Sequence, residues 1–364
     1  MYYENELKAL KKVGRYRTRE IVDYRLLDFS SNDYLGLAHK KELHSLTCHQ
    51  LSSLEINSSK ASLLVSGYHK IHQDFEQTLC ALNHFEDGVV LGSGFNANIA
   101  LIEALVRKGD VLFMDEKYHA SGVLASTFKG IEVHFFPHND MEALKKLFTN
   151  INDKKRKIVA VEGIYSMDGD MVPREVFEIC DREDALLIVD EAHSSGVVGP
   201  NLLGVFDLYN ILPRKNHIKM GTLGKAYGSF GAYILASEHI VAYLLNRAKP
   251  IIYATSLSLY DTLLAHNALK YMQKNKEELK KEIQKRQEIV KNSLGIQTPS
   301  LIVPIVIGDN KHVMKIKEEM ASLGFSVGAI REPTVPKAII RVIARLGQTS
   351  NELQALCDKI RQLR

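Results

Sequence analysis

The chain contains no tryptophan, and only four cysteines and nine prolines among its 364 residues. Cys48, Cys80, Cys180 and Cys357 are far apart and none forms a CxxC pair. This excludes a zinc ribbon and a disulfide framework and predicts reduced thiols. A surplus of one charge is also missing: 47 Lys and Arg stand against 43 Asp and Glu, for a net charge of +4. The densest basic run, Lys154-Lys155-Arg156-Lys157, has no aromatic platform beside it and reads as a solvated turn, not a nucleic-acid surface. No apolar run approaches the ~20 residues that cross a bilayer. The opening Met1-Tyr2-Tyr3-Glu4 starts no signal core. Together these absences predict a cytoplasmic enzyme or binding protein that has no nucleic acid, membrane or metal among its partners.

What remains is ordinary globular material, 45% hydrophobic and 25% charged. A chain of this length can bury a large core without staples. From about residue 70, short apolar strands alternate with helical patterns. Strands are predicted at Gly88–Leu91, Val111–Met114, Val133–Phe136, Ile158–Val161, Leu186–Val189, Ile218–Met220 and Ala232–Leu235. Helices include Ala97–Arg107 and Met141–Phe148. Near-continuous apolar strands between helices predict an α/β fold with a mostly parallel sheet covered on both faces. A long helical pattern over 259–292 then leads to an α+β unit, with strands at 301–307, 325–330 and 338–344 and helices at 311–323 and 350–363. The N-terminal stretch reads as a short amphipathic helix over 1–12 and a strand over 26–30. The expected organisation is an N-terminal segment (1–40), a large α/β domain (41–255), and a connecting helix with a small C-terminal α+β domain (256–364).

Ligands of open α/β sheets bind beyond the carboxyl ends of the strands, and four polar groups fall there. Val189-Asp190-Glu191-Ala192-His193 delivers a carboxylate and, three residues later, an imidazole. The plain reading is a strand-end Asp capping a turn. The functional one is an anion that pairs with a protonated pyridine nitrogen. Gly221-Thr222-Leu223-Gly224-Lys225-Ala226-Tyr227-Gly228 places a lysine among glycines, suited to a partly desolvated amine that forms a Schiff base. Its GxxGK fragment is not a P-loop, which needs four residues between the glycines and Ser or Thr after the lysine. Gly92-Ser93-Gly94-Phe95-Asn96-Ala97-Asn98 opens a helix whose free N–H groups suit a phosphate. Asp115-Glu116-Lys117-Tyr118-His119-Ala120-Ser121 follows a strand and offers a histidine able to stack on a planar ring, although a lone histidine is more often structural.

In this order the motifs resemble the α-oxoamine synthase family of pyridoxal 5'-phosphate (PLP) enzymes. The likeness runs from Ser31-Asn32-Asp33-Tyr34-Leu35-Gly36-Leu37 through Glu162-Gly163-Ile164-Tyr165-Ser166-Met167-Asp168-Gly169-Asp170 to Pro333-Thr334-Val335-Pro336. It implies an aspartate-aminotransferase-type (fold type I) PLP transferase that works as a homodimer, with its active site between the two domains and at the subunit interface. By the same likeness Lys225 carries PLP, His119 stacks on its ring, Asp190 meets the pyridine nitrogen, and Ser166 and His193 sit at the ring's polar edge. Gly94, Phe95 and Thr222 hold the phosphate, and Thr255 and Ser256 reach a neighbouring subunit's cofactor. Asn32 and Thr334 match substrate-side positions. An N-terminal arginine contacts substrate; Arg15, Arg17 and Arg19 are all available, and Arg17 is favoured. The substrate-carboxylate arginine corresponds to Arg341, after an interval about two residues shorter than the family's. The segment Ala61-Ser62-Leu63-Leu64 lacks the basic or polar residue that the family often has there.

Within the family the likeness points to members that condense L-alanine with a pimeloyl thioester, carried on coenzyme A or on acyl carrier protein. The alternatives are the members that use glycine and acetyl-CoA, and a non-catalytic partner subunit of the same fold. Such a subunit is expected to lack the Schiff-base lysine.

Overall fold

The computed structural model describes residues 2–128, 130–151 and 155–363, so Lys154 of the basic run and Met1 of the N-terminal helix lie outside it. The chain divides into two compact units. The larger comprises Leu35–Ser166 and Asp170–Lys280; the smaller comprises Met1–Tyr34, Met167–Gly169 and Lys281–Arg364.

The larger unit is built on a seven-stranded sheet: β1 (Asp87–Leu91), β2 (Val111–Asp115), β3 (Glu132–Phe136), β4 (Lys157–Glu162), β5 (Leu186–Asp190), β6 (His217–Thr222) and β7 (Ala232–Ala236). All seven predicted strands are present, each within two residues of its expected limits. Their spatial order is β1-β7-β6-β5-β4-β2-β3. Strands β2 to β6 pair in parallel, whereas β7 runs antiparallel to both β1 and β6. One face of the sheet presents Leu112, Met114, Ile158, Ala160, Ile188, Ile218, Met220 and Ile234. The helix Gly94–Leu105 covers it with Ala97, Ala100, Leu101 and Ala104, and the helix Glu238–Arg247 adds Val241 and Leu244. The opposite face carries Phe113, Val159, Val161 and Leu187, all fully buried. Burial on both faces explains the unbroken apolar strands, and each large aliphatic side chain so buried contributes about 1.5–3 kcal/mol.

Parallel pairing brings the C-terminal ends of β2, β4, β5 and β6 to one edge. The register sets Glu162 beside Asp190, so the last residues of β4 and β5 form a row of carboxylates there. All four cysteines are free: Cys80, Cys180 and Cys357 are buried and Cys48 is exposed.

The smaller unit holds an antiparallel three-stranded sheet of β8 (Ile302–Gly308), β9 (Gly328–Ile330) and β10 (Ala338–Ile343), in the order β9-β10-β8. The helices Asn310–Ser322 and Ser350–Leu363 accompany it. The single strand expected over 325–330 is two. Phe325–Ser326 pairs in parallel with Leu27–Asp28, and only Gly328–Ile330 joins β10. Val327 turns between the two ladders and is itself buried. The helix Leu259–Leu294 gives its first part to the larger unit and its last to the smaller, with a break in helical geometry at Asn275. Among the described residues no helix is long and apolar enough to cross a membrane.

Candidate active site

Lys225 stands three residues beyond the end of β6, and its Nζ lies 2.7 Å from Nε2 of His193. His193 follows β5 on the turn that Asp190 opens: Asp190 Oδ1 accepts the Ala192 N–H at 2.9 Å. Its other oxygen, Oδ2, accepts from Asn98 Nδ2 at 2.9 Å. The amide's own oxygen accepts from the Tyr118 hydroxyl at 2.7 Å. The relay Tyr118 → Asn98 → Asp190 therefore fixes the direction of the Asp190 carboxylate. Both Asn98 and Tyr118 are buried, and burial, followed by the charges of Asp190 and Glu162, drives the Tyr118 phenol well above its usual pKa. It remains a donor throughout the physiological range. Sequence reading singled out neither residue for this role. Asn98 was nevertheless visible as the polar residue one helical turn beyond Gly94, on the face that meets the strand ends.

Glu162 ends β4 next to Asp190. Burial and the Asp190 charge push its pKa well up, against the opposing pull of Lys225. Two adjacent buried carboxyls cannot both ionise cheaply, so Glu162 is the one held neutral. Its Oε2 accepts the Ser166 N–H at 3.2 Å. His119 caps the helix Ala120–Ser126, with Nδ1 2.7 Å from Ser121 Oγ. Desolvation lowers its pKa; the charge of Asp190 opposes this and that of Lys225 adds to it. The same interactions put His119 in the electrostatic range of both residues.

The phosphate candidates converge as well. Gly94 is the first residue of the helix Gly94–Leu105, capped by Ser93 Oγ, which accepts from Asn96 N at 3.2 Å. A Cβ on Gly94 would stand 2.5 Å from Thr222 Cγ2, so only glycine lets the helix start approach the end of β6. Thr222 Oγ1 is buried and, among the described residues, without a hydrogen-bond partner. The first-turn N–H groups of a helix have no intrahelical acceptors. Orphan donors, a positive helix end and a spare hydroxyl make a cradle for a phosphate dianion. At the same sheet edge stand the Lys225 amine beside the His193 imidazole and the Asn98-braced Asp190 carboxylate, the groups that a Schiff base, a phenolic oxygen and a pyridinium nitrogen call for. The residues present fit PLP.

Thr255 and Ser256 are held by the segment at residues 61 and 62. Thr255 bridges to Ser62, and Ser256 N donates to Ala61 O at 3.0 Å. Ser256 Oγ is buried and, among the described residues, has no hydrogen-bond partner. In the smaller unit, Arg341 Nη1 donates to Asn32 Oδ1 at 3.0 Å. Arg345, the next arginine along, is committed to Asp28, Asp33 Oδ2 and the Asp33 carbonyl. Arg17 Nη2 reaches Thr334 Oγ1 at 3.4 Å on the wall of a cavity of about 660 Å³ that Arg15, Lys317 and Arg331 also line. The structure thus pairs Asn32 with Arg341 and Arg17 with Thr334. Arg15 lines the same cavity, and Arg19 is not among its lining residues.

The family pattern of aminotransferase class I and II matches residues 24–360. The chain belongs to this family. An 8-amino-7-oxononanoate synthase of Helicobacter pylori is 42% identical over 359 residues, covering 98% of this chain and 96% of its own. One from Hydrogenovibrio crunogenus is 34% identical, with coverages of 94% and 88%. A solved 8-amino-7-oxononanoate synthase of Francisella tularensis superposes with a TM-score of 0.74 at 25% identity, over 93% of this chain and 99% of that one. The fold alone is shared with a variant serine palmitoyltransferase of S. paucimobilis, solved with a PLP–myriocin aldimine bound, at a TM-score of 0.89 and 21% identity, over 99% of this chain and 97% of that one. This aminotransferase-family chain is a fold type I, PLP-dependent enzyme of the α-oxoamine synthase type.

Proposed function

We propose that the enzyme condenses L-alanine with a pimeloyl thioester to give 8-amino-7-oxononanoate, carbon dioxide and the free thiol, a step towards biotin. The observation that carries this reading is the group formed by Lys225, His193 and the Asn98-braced Asp190 in a chain 42% identical to a synthase of that name.

When bound, PLP supplies an electron sink for the pair of electrons left on the alanine Cα. Lys225 would hold the cofactor, Gly94, Phe95 and Thr222 its phosphate, and Asp190 the proton on its ring nitrogen. His119 would cover one ring face, with Ser166 and His193 at the polar edge. The chemistry for the chain itself is proton handling. Released by the incoming amino group of alanine, Lys225 Nζ would be a free amine able to take the Cα proton. A carbon–carbon bond forms to the thioester carbonyl carbon as the carbon–sulfur bond breaks and the thiol leaves. The former alanine carboxylate departs as carbon dioxide, and Lys225 returns a proton to Cα. His193, 2.7 Å away, keeps the amine aimed during both transfers. Arg17 would meet the far carboxylate of the pimeloyl chain, with Thr334 beside it, and Asn32 and Arg341 would contact substrate polar groups.

We further propose a homodimer in which Thr255 and Ser256 serve the neighbouring copy's cofactor. Support comes from apolar side chains left bare around their bridge to Ser62: Val65 is 80% exposed and Tyr253 78%. Unbridged cysteines fit a cytoplasmic location. Hybrid dimers of Lys225→Ala with Thr255→Ala/Ser256→Ala chains should regain activity that neither parent has, and a fully active monomer in sedimentation would refute the arrangement.

Turnover of the four pairings of L-alanine or glycine with pimeloyl-CoA or acetyl-CoA tests the substrate assignment. L-alanine with pimeloyl-CoA should give the highest kcat/KM. One methyl group discriminates by only ~1–3 kcal/mol, so glycine is expected as a slow substrate. Preference for glycine with acetyl-CoA would overturn the assignment and leave the site chemistry standing.

A further inference from the structure

His138 lies two residues beyond β3, outside the group of residues described above. Its ring is held between two carboxylates, with Nδ1 donating to Asp115 Oδ1 at 3.1 Å and Nε2 to Asp170 Oδ2 at 2.7 Å. Each carboxylate governs a different turn. Asp115 ends β2 and is fully buried; its Oδ1 also accepts from Lys117 N and its Oδ2 from Asn139 N, both at 2.9 Å. It thereby shapes the turn that carries Tyr118 and His119. Asp170 returns the short hairpin that carries Ser166: its carbonyl accepts from Tyr165 N at 3.0 Å, and Ile164 bridges to Met171.

We propose that His138 is a positioning residue: as an imidazolium clamped between Asp115 and Asp170, it locks the turn bearing His119 to the hairpin bearing Ser166 and so sets where both side chains meet the cofactor ring. The proposal rests on the reading of His119 and Ser166 as ring contacts. A neutral imidazole has one N–H and cannot donate to both carboxylates, so the double tie requires the charged ring. Burial works against that charge, but the two carboxylates outweigh it and raise the His138 pKa to about 9. Other groups surround the ring, and Asn139 Nδ2, 3.4 Å from Nε2, shares Asp170 Oδ2 with it as acceptor. Tyr165 packs edge-on, with ring centroids 4.4 Å apart. Glu116 Oε1 accepts the His138 backbone N–H at 3.2 Å. Asn139 adopts φ 55°, and its Nδ2 reaches Asp170 Oδ2 at 3.2 Å and the Met171 carbonyl at 3.2 Å. Asn139 is thus a second, neutral tie between the same two turns. Purely structural capping would need only one of the carboxylates; spanning both is what couples the turns.

The test compares holoenzymes reconstituted with PLP. Asp170→Ala is the main variant, because the Asp170 side chain is 43% exposed and its loss leaves the core intact. Asp170→Asn keeps an acceptor for Nε2–H, and His138→Gln removes the clamp itself. The readouts are the visible circular dichroism of the bound cofactor, kcat and KM for L-alanine, and the melting temperature. Asp170→Ala should alter the dichroism and lower kcat on the order of tenfold, with a smaller change in KM, as small misplacements of reacting groups do. Asp170→Asn should recover most of both losses. His138→Gln should reproduce the Asp170→Ala effect, and the double variant should lose no more than either single one. If Asp170→Ala lowers only the melting temperature, with dichroism and kcat as in the wild type, the inference fails by itself. If the wild type takes up no PLP on Lys225, the reading of the site fails and the inference falls with it.

Discussion

Nζ of Lys225 lies 2.7 Å from Nε2 of His193, although 32 residues separate them in the chain. Two parallel strands, β5 and β6, deliver them, and their pairing of Asp190 with Met220 fixes how far apart the following turns begin. The proposed chemistry depends on this register, because a slip of one residue would send the side chains of one strand to the opposite face of the sheet.

Asp190→Asn should still bind PLP and should lose activity. An amide cannot hold a proton on the ring nitrogen by charge, and Asn98 Nδ2 would lose its anionic acceptor. Removing a preorganised electrostatic contact of this kind costs on the order of a hundredfold in kcat. Steady-state kinetics with saturating L-alanine, alongside a cofactor titration, separates the two effects; near-normal kcat would contradict the role given to Asp190.

Lys219→Met should destabilise the fold. Lys219 is a lysine with no exposed surface, and its Nζ contacts Asn83 Oδ1 at 2.8 Å, the Leu203 carbonyl, and Glu191 Oε1 at 3.6 Å. Glu191 in turn accepts the Val205 N–H, and Gly204, at φ +97°, leaves room for its carboxylate where a Cβ would collide. Stranding a buried carboxylate in this way costs about 3–5 kcal/mol. Urea unfolding should show that loss, and adding Glu191→Gln to Lys219→Met should restore part of it.

These cases show where the sequence is legible. Most strands of the large sheet could be read because burial on both faces leaves short, nearly continuous apolar runs, and four of these runs end in Asp115, Glu162, Asp190 and Thr222. What sustains those ends is not local. Asn98 lies 92 residues from the carboxylate that it orients, and His138 lies 32 from Asp170. Lys219 did leave a trace, as a cation inside an apolar strand. The split of the stretch 325–330 left none, since its first half is held by residues 27 and 28, a pairing that the local pattern cannot register.

Glu76→Gln should flatten the loss of stability as pH rises from acid towards neutral. Burial raises the Glu76 pKa to about 7 from an ordinary 4.5, while Tyr68 OH at 2.6 Å and Val90 N–H at 2.9 Å donate to it and partly oppose the shift. Between those two values the unfolded chain has given up the proton and the folded chain keeps it. Stability therefore falls as pH rises through this window, by roughly 3 kcal/mol from this group at 1.36 kcal/mol per pKa unit. Denaturant melts of wild type and variant at pH 4.5 and 7.5 check this: their difference should grow in favour of the variant at the higher pH.

Arg17→Ala should weaken use of the pimeloyl donor more than that of L-alanine. A charge-assisted hydrogen bond to the donor's terminal carboxylate is worth about 1.5–3 kcal/mol, which corresponds to roughly ten- to a hundredfold in KM for the donor. The KM for L-alanine should stay within about threefold, a change of under 1 kcal/mol. Equal losses on both substrates would place Arg17 elsewhere in the mechanism.

Borohydride reduction of the PLP-loaded enzyme, followed by peptide mapping, shows which lysine carries the cofactor. Reduction converts a lysine–PLP Schiff base into a stable secondary amine. A single phosphopyridoxyl label is expected on Lys225, and no label on the Lys225→Ala chain. A label on any other lysine, or an unchanged label in Lys225→Ala, would contradict this assignment.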